Sequence, residues 1–237
     1  MRLRKMRKII DLSIDITNNH PVFPAHCKTH IWTWETMEFT KSLGFTAPFH
    51  ADAILMSSHG PTHVDALNEY ADPNDDSVMD VYRIPLDWCC NDGICIDVSH
   101  VTPNTWIMPE DLENALEKSG QTMPKGGTLL LYTGHYEKNF PGSKWLTEYP
   151  GLGVEGSKWI AKHGIRNVGV DAPSIDKGDD MACTAHPMFQ KLEMLNTENL
   201  CNLDKVVNKK FWYIGMPLKI KEYCTGSPIR AVAILED

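Results

Sequence analysis

The stretch "VEGSKWIAKHGIRNVGVDAPSID", Val154–Asp176, is the one on which the fold turns. Its first half has the spacing of an amphipathic helix over Val154–Ile165, with Trp159 and Ile160 on the buried side and Gly164 as the stop. A short apolar run, "NVGVDAPSI", follows at once and reads as a strand. A helix feeding directly into a buried strand is the repeating unit of α/β proteins. The end of that strand carries Asp171, Ser174 and Asp176, where the sheets of such proteins open their ligand sites.

Working outward, six further runs have strand character: "KIIDLSIDI", "ADAILMS", "GICIDVS", "TLLLYTG", "FWYIGMPL" and "IRAVAIL". Each is rich in β-branched or aromatic residues and bounded by turn formers. "PEDLENALEKSG" predicts a helix, with Pro109 in its first turn, acidic residues at its start and Gly120 as its end. "AHPMFQKLEML", Ala185–Leu195, predicts another. Helices and strands alternate in the second half, whereas the first half is strand and loop. The expected fold is therefore α/β with a mixed β-sheet core and flanking helices, in one domain spanning residues 1–237. The long turn-rich segments "NEYADPNDDSVMD" and "GHYEKNFPGSKWLTEYPG" are of the kind that line sites.

Composition narrows the function. A net charge of -8 opposes binding to a nucleic-acid backbone, and the one basic run, Arg2–Lys8, is short and terminal. No window approaches the apolar length of a membrane span, and the start is too polar for a signal peptide, so a cytoplasmic protein is expected. The cysteines, seven in number, include no CxxC pair, which argues against a disulfide framework or a zinc ribbon.

The chemistry concentrates in "SSHGPTHVDALNEY", Ser57–Tyr70. His59 and His63 are four apart and Asp65 follows two later, a set that suits a divalent metal with open positions. In an extended segment His63 and Asp65 share a face, and the Gly60–Pro61 bend would have to turn His59 inward. Clusters of this size also occur as turn and capping residues on solvated loops, and on spacing alone both readings stand. His186 and Glu198, twelve residues apart, supply a further imidazole and carboxylate.

These segments together resemble the cyclase-like family of metal-dependent hydrolases, which includes bacterial kynurenine formamidase, isatin hydrolase and trans-dienelactone hydrolase. The family's hallmark is HxGTHxDxPxH, and "HGPTHVDALNE" follows it at His59, Thr62, His63 and Asp65. "GVDAPSID", "TENLCNLD" and a closing "GSPIRAVAIL" come in the family's order. The resemblance implies the swivelling β/β/α fold, dimers or tetramers, one or two zinc or manganese ions per subunit, and hydrolysis of a small amide or cyclic amide as in a kynurenine formamidase. Lactone or ester opening, and a catalytically silent ligand binder, are the alternatives. It also implies ligand sets: His59, His63 and Asp65 for a first ion, and Asp65, His186 and Glu198 for a second.

Three positions depart from the hallmark: Pro61 for its glycine, Leu67 for its proline, and Glu69 for its third histidine, a catalytic acid/base. A divalent ion brings the pKa of bound water to about 7, so a base beside that water need only collect its proton. Glutamate does this in HExxH proteases, although its reference pKa of about 4.3 makes it a poorer donor than histidine. Glu69 is thus the expected base, with a place among the metal ligands as the second reading. In that second reading another group shuttles protons, and His135, at a strand end, is the foremost choice, ahead of His50 and His100. Phe23 and Trp32, with Trp34 nearby, either wall a pocket for a flat ring or pack in a core or subunit interface.

Overall fold

The computed structural model describes residues 7–236, so that Arg2–Met6 of the basic run lie outside it. The strands in chain order are β1 Arg7–Asp11, β2 His30–Glu35, β3 Ala51–Leu55, β4 His63–Asp65, β5 Cys90–Asp97, β6 Trp106–Ile107 and β7 Thr128–Tyr132. After them come β8 Gly151–Leu152, β9 Asn167–Val170, β10 Leu195–Glu198, β11 Lys210–Ile214, β12 Gly226–Pro228 and β13 Val232–Glu236. The helices are α1 Met37–Ser42, α2 Pro109–Ser119, α3 His135–Asn139, α4 Val154–Lys162 and α5 Ala185–Leu192.

One sheet of nine strands carries the molecule, in the order β1-β13-β11-β5-β7-β9-β10-β4-β12. Its centre, β5-β7-β9-β10, is parallel. The flanking pairs are antiparallel, which makes the sheet mixed as expected. Alternation explains how "TLLLY" serves two cores. Leu129 and Leu131 face α2 and α4 together with Ile94, Ile96, Val168 and Val170. Leu130 points the other way, onto Ile10, Phe211 and Tyr213. Strands covered on both faces read as unbroken apolar runs, and each fully buried leucine here contributes about 1.5–3 kcal/mol. Because Ile10 of β1 and Leu130 of β7 share a cluster across three intervening strands, the sheet curls.

The helices form for the reasons their sequences give. At α2 the Asp111 carboxylate accepts from the Met108 backbone N–H at 2.9 Å, and Gly120 closes the helix at φ +63°. α4 is followed by Gly164 at φ +78°, which turns the chain toward β9. One expectation needs correction, and one strand lies apart from the main sheet. The helix predicted to reach Leu195 stops at Leu192: Glu193 adopts φ +52°, and Leu195 starts β10 because it pairs with Asn167 of β9. "ADAILMS" is indeed extended, but as β3 it pairs only with β2, in a separate arm that also carries α1.

Candidate metal centre

The centre is a consequence of strand register. β4 is only three residues long, with β10 on one side and β12 on the other. Across β10, His63 opposes Glu198 and Asp65 opposes Asn196. Across β12, Pro228 opposes His63 and Gly226 opposes Asp65. Side chains two apart share a face, so His63, Asp65, Asn196 and Glu198 form one polar patch. Val64, between the first two, is packed into apolar surroundings on the other face. His59 enters from the preceding turn, where a Cβ on Gly226 would come within 2.6 Å of its ring, so glycine alone leaves room for it.

His186 enters from the first turn of α5. Asp176 holds it there: one carboxylate oxygen accepts from the Ala185 N–H, and the other takes the His186 Nδ1–H. The turn Leu67–Tyr70 then brings Glu69 over the patch, with Oε1 3.6 Å from His59 Nδ1 and Oε2 3.8 Å from His186 Nε2. Two groups of potential ligand atoms result, His59/His63/Asp65 and Asp65/His186/Glu198, each with its atoms within 4.8 Å of one another. The five expected ligands therefore converge from three parts of the chain, which the reading of loose loop residues does not allow.

Each imidazole is anchored through its outer nitrogen. His63 Nδ1 donates to the Pro61 carbonyl at 2.9 Å, His59 Nε2 meets Thr225 Oγ1 at 2.8 Å, and His186 uses Asp176. The inner nitrogens face the carboxylates: His59 Nδ1 is 2.7 Å and His63 Nε2 3.2 Å from Asp65 Oδ1, and His186 Nε2 is 3.3 Å from Glu198 Oε1. Burial opposes charge on Asp65, yet the His63 and His59 imidazoles hold it well below the usual carboxylate range. Burial and Asp65 likewise push Glu198 up, but His186 and His63 bring it down to about 2. Glu69 goes the other way: burial and then the Asp65 charge push it up to about 8.

The donor set fits a divalent cation. His63 Nε2 and Glu69 Oε2 are buried and have no hydrogen-bond partner. Buried carboxylates this close together call for a positive charge among them, and ligating imidazoles are typically oriented by a carboxylate or carbonyl behind them.

A cavity opens over the centre, lined by Phe23, Tyr70, Tyr149 and Met181 together with His20 and His26. Phe23, a candidate for the pocket wall, is among the residues that line it. Trp32 is not among the lining residues; it stands on the arm beside Trp34, 42% exposed. His135 is not brought to the centre either. Its Nε2 donates to the Trp145 carbonyl at 2.9 Å, Asn139 donates to its Nδ1 at 3.0 Å, and its ring stacks on Trp145. No ring nitrogen is left to shuttle a proton, which corrects that expectation. His50 is exposed and His100 pairs with Asp111 at the surface. Of the strand-end acids, Asp176 reaches the site, whereas Asp171 accepts from Thr133 and Gly134 behind it.

Sequence reasoning missed His20, His26, Thr225 and Asn196. Asn196 lies two before Glu198, and that same-face spacing was the available signal.

The fold is thus a curled mixed sheet that carries, near one edge, a buried imidazole–carboxylate centre beneath a cavity. Comparison supplies the particular family. The family model described as Putative cyclase matches residues 10–177, and the chain belongs to that family. It is 28% identical over 226 residues to a kynurenine formamidase of Paracidovorax citrulli, covering 95% of this chain and 96% of that protein. It is also 28% identical over 231 residues to one of Bacillus cereus, covering 96% and 98%. Among solved structures, isatin hydrolase A from Labrenzia aggregata, bound to benzyl benzoate, superposes with a TM-score of 0.84 at 23% identity, covering 98% of this chain and 94% of that one.

Proposed function

We propose that this protein hydrolyses the C–N bond of a small aryl amide, in the manner of a kynurenine formamidase, at a centre of one or two zinc or manganese ions. The convergence of His59, His63, Asp65, His186 and Glu198 on one buried patch under an aromatic-walled cavity carries this reading. His59, His63 and Asp65 would hold one ion, and Asp65, His186 and Glu198 a second. Such an ion, when bound, acidifies water and polarises a carbonyl oxygen. The chain's own part is to bind, orient and move protons. Phe23, Tyr70 and Tyr149 offer faces and edges to a flat ring. With a cation bound beside it Glu69 would be held ionised, and its Oε2, buried and without a partner, then accepts the proton of the attacking water. Held in a buried site, the same carboxyl then returns that proton to the departing amine nitrogen.

The test is direct. Protein purified without chelator should contain stoichiometric zinc or manganese and hydrolyse an N-formyl aniline. Dialysis against EDTA should abolish turnover, and either ion should restore it. Absence of metal together with metal-independent turnover would overturn the reading, and a metal-loaded protein that turns over only lactones would move it to the ester-opening alternative.

The same proposal includes a cytoplasmic homodimer or homotetramer. All seven cysteines are free, in keeping with a reducing compartment. Nine exposed large apolar side chains lie between Trp32 and Leu55, among them Trp34 at 68% exposure, Phe39, Phe45, Phe49 and Ile54. At about half of the ~200 Å² each can present, they expose on the order of 900 Å². A stable pair buries ~800 Å² per partner, so a second copy of this chain is the occupant that fits. Trp34→Glu should shift the protein to the monomer in sedimentation velocity, and an unchanged sedimentation coefficient would remove the arm from the interface.

A further inference from the structure

Asn196 lies opposite Asp65 across the β4–β10 pairing and shares a strand face with Glu198. It is 3% exposed. Its Nδ2 is 2.9 Å from Asp65 Oδ2, 2.7 Å from Glu198 Oε1 and 3.3 Å from His186 Nε2. These residues are the three members of the second ligand group. Atoms bound at right angles to one ion, each ~2.1 Å from it, stand about 3 Å apart. The amide end thus occupies the place of a fourth ligand atom.

The other end of the amide points to the same conclusion. Asn196 Oδ1 is buried and has no hydrogen-bond partner where it stands. A half-turn of the carboxamide exchanges the two ends and sacrifices no bond made by Oδ1. Turned so, Oδ1 faces two carboxylates and an imidazole, where a carbonyl oxygen is stable only beside a cation.

Building on the metal-centre reading above, we propose that Asn196, through its carbonyl oxygen, is a fourth protein ligand of the ion held by Asp65, His186 and Glu198. Two carboxylates, a carbonyl and one imidazole make this position richer in oxygen than the His59/His63/Asp65 position. Oxygen-rich sets suit manganese, whereas imidazole suits zinc, so the two positions differ in preference and the second favours Mn²⁺.

The experiment is a titration of the chelator-stripped full chain with Mn²⁺ alone, reading free ion by electron paramagnetic resonance and retained ion by elemental analysis after gel filtration. Wild type should retain two ions per chain. Asn196→Ala should keep the first and bind the second about 10-fold or more weakly, while Asn196→Asp, which returns an oxygen to that place, should keep both. Asn196→Leu, closer in size, repeats the measurement if the alanine variant fails to fold, as circular dichroism reports. Equal second-ion affinity in wild type and Asn196→Ala would overturn the proposal. So would a gain of the second ion in Asn196→Ala, which would make the amide a plug. A wild type that holds no ion at all would instead sink the metal-centre reading on which this one rests.

Discussion

Asp65→Ala, purified without chelator, is expected to retain only a trace of the wild-type metal and to lose about 10³-fold or more in kcat/KM on an N-formyl aniline. Asp65 is the one side chain common to both groups of ligand atoms. Its Oδ1 faces His59 and His63 while its Oδ2 meets Asn196 Nδ2 at 2.9 Å and lies 3.8 Å from His186 Nε2. Loss of His63 would still leave Asp65, His186 and Glu198 in place. Loss of Asp65 leaves each position one anionic ligand short. An ion that polarises a carbonyl is worth several kcal/mol in the transition state, and each 1.36 kcal/mol is about tenfold in rate. Elemental analysis with steady-state kinetics decides the matter, given a circular dichroism spectrum that matches wild type. Metal content and rate within twofold of wild type would show that the centre does not work through Asp65.

Glu69→Gln should behave differently, with metal content unchanged and kcat lower by about 10²–10⁴-fold, the usual contribution of a positioned acid or base. Glutamine keeps the shape and one oxygen of the side chain but cannot take a proton. Glu69→His, which restores the residue type of the family hallmark, should recover part of the rate. Should Glu69→Gln instead lose metal in proportion to rate, Glu69 is a ligand, which is the second reading of this position. The carboxylate lies 3.6 and 3.8 Å from the inner nitrogens of His59 and His186, so it stands beside both groups of potential ligand atoms.

His135 stands at the end of an apolar strand, the usual address of a catalytic histidine, yet Trp145 and Asn139 take both its nitrogens. Asn196 directly follows, in "LEMLNTENL", a helical pattern that begins at Ala185 and runs on through Leu195. In the fold the helix breaks at Glu193, and Leu195–Glu198 becomes the strand that pairs with β4. The partners of His135 are close in the chain, Asn139 one helical turn on and Trp145 in the turn-rich segment that follows, whereas the break after Leu192 goes with the pairing of Leu195 and Asn167 across β10 and β9.

What the sequence by itself determined is considerable. Helix ends at Gly120 and Gly164, the buried runs of β5, β7 and β9, and the α/β class are all written in spacing and turn chemistry, because these depend on interactions within a few residues. The five residues that converge on one patch were legible too, through the order of motifs along the chain. Tertiary structure alone decided the rest: that Asn196 opposes Asp65, that Asp176 and Thr225 brace two imidazoles, that Gly226 makes room for His59, and that the apolar arm is left facing outward. Each of these depends on which strands and turns meet across long loops. That choice is made by burial of the whole sheet, since a shift of one residue in register would turn His63 and Asp65 away from Glu198.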